Sequence, residues 1–163
     1  MDGRAINLFK FCFMRKIYLL LVLTFFSVVS FSQVSVTATS GTAGPTSYAT
    51  VSDAFAAINA GTHKGAVTIT ITANTTEPAT PTALLNNASP SGYTSVLIKP
   101  SGNVTINSAT TPTASRGVIE LSGADNVIID GDDPSTTGTR NLTVSVATTS
   151  TSNAAIRISS NST

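Results

Sequence analysis

Tryptophan is absent from this chain, cysteine occurs once, and only 10% of its 163 residues are charged. Each scarcity excludes something. The single cysteine, Cys12, has no partner for an intrachain disulfide, so stability rests on packing and backbone hydrogen bonding. Nine basic residues against eight acidic ones provide no basic surface of the kind that holds nucleic acid. Beyond residue 33 the balance turns slightly acidic. There Lys64, Lys99, Arg116, Arg140 and Arg157 face seven carboxylates, a formal charge of −2. One histidine, His63, leaves little material for acid–base catalysis, and no nucleophile triad can be assembled from the remaining residues.

What the chain does contain is unevenly spread. Met14-Arg15-Lys16 opens a positive segment, an apolar run follows over 17–29, and Ser30-Phe31-Ser32 supplies small residues before Gln33. Charge, apolar run and small-residue exit are the three parts of a secretory signal peptide. The run is short of the ~20 residues that a membrane span requires, which disfavours the alternative of an uncleaved anchor. The reading is therefore an N-terminal extension plus cleavable signal over 1–32 (signal proper 14–32), with Met14 as good a start as Met1. Residues 33–163 form the mature part, with no membrane span, destined for secretion or the cell surface.

After Gln33, threonine, valine and isoleucine recur in alternating clusters, which suits pleated, half-buried strands and argues against disorder. One helix is expected over 51–60. Thr50 caps it, Asp53 completes a capping box, Gly61 ends it, and Val51, Phe55 and Ile58 form one apolar stripe. Alternation predicts strands at 34–39, 67–72, 96–99, 104–106, 118–121, 127–129, 142–146 and 155–158, with 74–93 as a long connection anchored by Leu84 and Leu85. The strands at 96–99, 104–106 and 118–121 recur at 127–129, 142–146 and 155–158, offset by 31 to 38 residues. That period predicts an all-β, right-handed parallel β-helix, a solenoid closed at its N-terminal end by the helix. An antiparallel β-sandwich is the alternative. In the solenoid register Lys99 lies beside Asp130 and Glu120 beside Arg157. Both would be exposed opposite-charge pairs contributing roughly 0–1 kcal/mol each.

Tyr48-Ala49-Thr50-Val51-Ser52-Asp53-Ala54-Phe55 resembles the opening helix motif of the pectin-lyase-like, right-handed parallel β-helix superfamily. The segment 67–77 resembles its first strand and turn. Ser95 to Pro100 and Asn126-Val127-Ile128-Ile129-Asp130-Gly131 resemble its recurring coil strands. The resemblance spans about 46–160 and implies a fold rather than an activity, since enzymes, adhesins and surface proteins share it. The signal and the Ser/Thr-rich strands are also similar to large secreted or surface proteins of gliding bacteria. Those run on for hundreds of residues, so 33–163 is expected to be the N-terminal portion of a domain truncated at its C-terminus.

Asp130-Gly131-Asp132-Asp133 is the one carboxylate cluster. By resemblance, Asp130, Asp132 and Asp133 could supply acid–base chemistry or hold Ca²⁺, with Arg157 resembling a basic residue of the fold's hydrolases. Asp-Gly and Asp-Pro are also ordinary turn chemistry, and the spacing is not that of an EF-hand loop. The turn reading is therefore preferred, with no catalytic residue, metal or cofactor assigned. His63 is expected as a solvated loop residue, and the five Asn-x-Ser/Thr sequons, including those at Asn74, Asn103 and Asn141, as chance matches. The functional expectation is a non-catalytic structural or adhesin-like module contacting extracellular polysaccharide or cell-surface glycans. The alternative is the leading fragment of a polysaccharide lyase or glycoside hydrolase.

Overall fold

A computed structural model describes residues 32–79, 83–109, 115–136, 138–147 and 152–160. The signal segment, Ser32 apart, lies outside the described residues. Among the described residues, alternation of β-branched residues makes eleven strands, and the apolar stripe at 51–58 makes one helix, α1 (Val51–Asn59). The strands are β1 (Val34–Gly41), β2 (Thr46–Tyr48), β3 (His63–Ile71), β4 (Thr75–Glu77), β5 (Ala83–Leu85) and β6 (Gly92–Pro100), followed by β7 (Val104–Ser108), β8 (Gly117–Ser122), β9 (Val127–Ile129), β10 (Leu142–Ser145) and β11 (Ala154–Ser159).

These strands form three separate sheets, ordered β2-β1-β3-β6-β9, β10-β7-β4 and β11-β8-β5. The arrangement corrects both architectures expected from sequence. The largest sheet is mixed: β1 runs antiparallel to both β2 and β3, while β3, β6 and β9 pair in parallel. None of the sheets closes, so the described residues form a small, mostly-β domain with one helix and not a right-handed parallel β-helix. Nor is it an antiparallel sandwich, because every pairing in the two smaller sheets is parallel. The physical reason is the return of the leading segment. Gly41 and Gly44, at φ +71 and +86, turn β1 back into β2, and the chain then runs through α1 to Gly61, at φ +74, before β3 pairs antiparallel with the other edge of β1.

The individual strand alignments read from spacing do hold. Val96 pairs with Val127 and Ile98 with Ile129; Glu120 pairs with Arg157, flanked by Ile119 with Ile156 and Leu121 with Ile158. The registers stack like residues into rows. Val36, Ile69, Ile98 and Ile129 form one row across the first sheet, and Ala38, Val67, Val96 and Val127 form the next. Period-two geometry keeps each row on one face, and the inward rows are the core. Val36, Ile69, Ile98, Ile106 and Ile119 are completely buried. Along the edges formed by β9, β10 and β11 burial weakens, and Ile158 is 78% exposed.

On the opposite side the sheet edges are covered. The helix presents Val51, Ala54, Phe55 and Ile58 to the core, all fully buried. Its last residue, Asn59, uses its side-chain amide as a peptide would: Nδ2–H donates to the Leu84 carbonyl at 2.8 Å, and Oδ1 accepts from Asn86 N–H at 3.1 Å. This satisfies the open edge of β5, which strand edges otherwise leave available for pairing with other chains. The helix then stops as its sequence requires. Gly61 takes φ +74, Thr62 N–H donates to Ala57 O, and Gly61 N–H donates to Ile58 O, the two bonds of a Schellman end.

The helix start is where sequence reasoning was incomplete. Thr50 Oγ1 accepts Asp53 N–H at 3.0 Å, as a capping threonine should. The preceding two amides go elsewhere. Val51 N–H donates to Glu77 Oε1 at 2.9 Å, and Ser52 N–H to Glu77 Oε2 at 2.8 Å. Glu77 ends β4, a strand inside the segment expected to be a connection, and it is completely buried. Replacing Glu77 with alanine leaves both amides without acceptors in a dry site. We expect E77A to lose about 2–6 kcal/mol in urea unfolding, at about 1–3 kcal/mol for each of the two buried orphaned groups. Ile98→Ala, by contrast, should cost about 2–5 kcal/mol by opening a cavity in the central row.

Candidate functional site

The acidic cluster lies between β9 and β10, in a corner closed by Asn141 N–H and Leu142 N–H, both donating to Gly131 O. Its carboxylates do not converge. Asp130 Oδ1 accepts Asp132 N–H at 3.0 Å, and Asp132 Oδ2 accepts Gly138 N–H at 2.9 Å. Asp133 is buried and takes the most bonds. Its Oδ1 accepts Ser135 N–H at 2.8 Å and Ser135 Oγ–H at 2.9 Å, while Oδ2 accepts Gly102 N–H across the corner. The Ser135 and Gly102 amides hold the Asp133 carboxyl below its ordinary range. Among the described residues no group of three or more His, Cys, Asp or Glu side chains is placed to hold a metal ion. The cluster is built as a turn, each carboxylate standing in for a backbone acceptor.

The same corner absorbs two sequons. Asn141 is buried; its Oδ1 accepts Asp133 N–H at 3.0 Å and its Nδ2–H donates to Asn103 Oδ1 at 2.7 Å. Asn103 and Asn141 precede the paired residues Val104 and Leu142, so their side chains meet across adjacent strands. Asn74, just before β4, accepts Thr105 N–H at 2.8 Å. The recurring asparagines thus bridge the starts of β4, β7 and β10.

Arg157, the fourth sequence candidate, ion-pairs with Glu120 and not with an aspartate. Glu120 was expected on an exposed face, but it is completely buried. Arg116 Nη2 approaches Glu120 Oε2 at 2.7 Å, Arg157 Nη1 approaches Oε1 at 3.2 Å, and Gly117 N–H donates to Oε1 at 3.3 Å. Gly117 permits this crowding. A Cβ there would lie 2.6 Å from Ile119 O and 3.0 Å from Arg157 N. The exposed-pair estimate therefore does not apply, because removing either partner disturbs a charge shielded from water.

His63 is also corrected. It begins β3, is completely buried, and lies edge-on to Tyr48 with ring centroids 5.8 Å apart. Nδ1 lies 2.7 Å from the Thr42 carbonyl, which can only accept, so Nδ1 carries the proton. In the neutral ring Nε2 then accepts the Tyr48 hydroxyl at 2.7 Å, and burial raises the Tyr48 pKa, keeping the phenol protonated. The signal for this burial was present in the sequence: residues 63, 67, 69 and 71 share one phase of alternation.

Comparison of the chain with protein-family models, curated proteins and solved structures finds no match. Among the described residues no helix is long and apolar enough to cross a membrane.

Two buried carboxylates make opposite predictions for pH. Desolvation raises the Glu77 pKa above its ordinary 4.5, outweighing the Val51 and Ser52 amides. The folded state then holds that proton more tightly than the unfolded chain. Stability relative to Glu77→Gln should fall as pH rises from about 4.5 through the folded value. The Asp133 pKa lies below its ordinary 3.8, so its contribution is complete above that value and is lost as pH falls through the lower folded one. Urea midpoints measured from pH 3 to 8 should show D133N lacking the acid-side loss and E77Q lacking the decline toward neutrality.

Proposed function

We propose that this chain is an exported, non-catalytic structural or adhesive module that contacts extracellular polysaccharide or cell-surface glycans through its outer sheet faces. One observation carries the reading: four of the side chains with catalytic chemistry, His63 among them, are spent on the scaffold. Glu77 holds the helix amides, Asp133 the corner amides, Glu120 two guanidiniums, and His63 bridges Tyr48 and Thr42. A general acid or base must reach a substrate proton, and these four are buried among protein partners. The outward rows offer different chemistry. Thr105 pairs with Thr143, and Asn107 lies between Thr76 and Ser145, giving the second sheet a face of hydroxyls and amides. Such groups suit hydroxyl-rich ligands, at a net contribution of about 1 kcal/mol per hydrogen bond. Export rests on the segment at 14–32.

Incubation with neutral and acidic polysaccharides should release no new reducing or unsaturated ends, while immobilised polysaccharide should retain the protein. The double variant Thr105→Ala/Thr143→Ala should bind about 30-fold less, at about 1 kcal/mol for each of two lost bonds. Turnover abolished by D130N, D132N and D133N would overturn the reading in favour of an enzyme.

A further inference from the structure

Each of the three sheets has an end strand from the last part of the chain: β9, β10 and β11. The three lie together. Gly131 O, just after β9, accepts the Asn141 and Leu142 amides at the start of β10, and β10 packs beside β11. Among the described residues every large hydrophobic side chain that stands exposed is on these strands: Ile128 at 62%, Ile156 at 37% and Ile158 at 78%. Ile156 and Ile158 pair with the buried Ile119 and Leu121, so they belong to inward rows. Val127, Ile129, Leu142 and Val144 continue the other inward rows and are only half-buried. The apolar core is open at this end.

The backbone is open there as well. Val96 N–H donates to Asn126 O and Asp130 N–H to Ile98 O, and a parallel ladder turns alternate residues toward one neighbour. Val127 and Ile129 therefore direct their amides and carbonyls to the free edge of β9. Edges meant for solvent are blunted by proline, bulges or inward-pointing charge. β9, β10 and β11 contain no proline, and their one ionisable residue, Arg157, lies in the outward phase. The far edges are different: Asn59 closes β5, and Glu77 ties α1 to β4.

An occupant must bring apolar side chains at every second position to three edges at once. One extended peptide fills a single edge. The far end of another copy has its β4 and β5 edges already taken, which rules out open head-to-tail stacking. The open end itself meets the requirement. Within the chain like already stacks on like, Val96 on Val127 and Ile98 on Ile129. The rim also carries both signs, Asp130 after β9 and Arg157 in β11, so it does not repel a copy of itself. We propose that β9, β10 and β11 form a self-complementary surface through which two copies of this chain pair end to end as a closed dimer, continuing the sheets across the interface. The pairing goes beyond the glycan reading and does not depend on it.

The test is sedimentation equilibrium of the full chain over a range of concentrations, with reductant present so that Cys12 cannot cross-link copies. The expected result is a reversible monomer–dimer equilibrium with no larger species. I158K should weaken the dimer about a hundredfold, because two-fold symmetry places the substitution in the interface twice. Ile158 is largely exposed, so the monomer keeps its fold and its urea midpoint. I128K, on β9, should weaken the dimer independently and takes the place of I158K if that midpoint falls. Hydrogen exchange reads the strand pairing itself. The Val127 and Ile129 amides should exchange more slowly in the dimer than in I158K, while the Asp130 amide, bonded to Ile98 O, is protected in both. A wild-type chain that stays monomeric up to ~100 μM overturns the proposal and leaves the edges to a different chain. So does growth into species of indefinite size, or a dimer that the folded I158K and I128K variants leave unchanged.

Discussion

Two hydrogen bonds to one buried carboxylate carry an unusual share of this architecture. Glu77 accepts the Val51 and Ser52 amides and thereby fixes where α1 begins. With Thr50 taking the Asp53 amide, the first turn of the helix has its orphan donors satisfied. The helix, so placed, buries Phe55 and Ile58, and its Asn59 closes the edge of β5. Without that start the helix could not lie over β4 and β5, and two sheet edges would be left to solvent or to other chains. A nine-residue helix is marginal by itself, so its formation depends on this docking.

Economy of charge follows from the same constraint. The chain has few ionisable groups and buries several of them, a costly choice unless each is paired. Helix amides face Glu77, corner amides face Asp133, and two arginines face Glu120. In each case the carboxylate joins segments distant in sequence: β4 to the helix, the β9–β10 corner to Gly102, β8 to β11. Asparagines do the same work without charge, as Asn103 and Asn141 show at the starts of β7 and β10. With no disulfide to join these segments, polar contacts of this kind set which strand lies beside which.

Much of the strand content was legible because alternation is a direct consequence of pleating. The run Val67 to Ile71 and the repeats Val96, Ile98, Val127 and Ile129 announced both strands and partners. What alternation does not encode is how sheets join. The antiparallel pairing of β1 with β3 depends on the connection through β2 and α1, which opens with turns at Gly41 and Gly44 and ends at Gly61, and it separates this mixed, open arrangement from the regular solenoid that the period suggested. The short strands β2, β4 and β5 escaped notice because they contain no Val or Ile, unlike the equally short β9, Val127–Ile129. Glu120 looked like a surface residue, and Glu77 was not singled out at all, because their partners arrive from elsewhere, Arg116 and Arg157 in one case and α1 in the other. The acidic corner, by contrast, was read as turn chemistry from its Asp-Gly and Asp-Pro steps, and its hydrogen bonds have that form.

The central claim is that the start of α1 is held by Glu77 as firmly as the core strands hold one another. Native-state hydrogen exchange at single-amide resolution addresses it directly. The account predicts that the Val51 and Ser52 amides exchange as slowly as those of Ile69 and Ile98, through the same opening. Rapid exchange of Val51 and Ser52, at the pace of a fraying helix end while Ile69 and Ile98 remain protected, would contradict it.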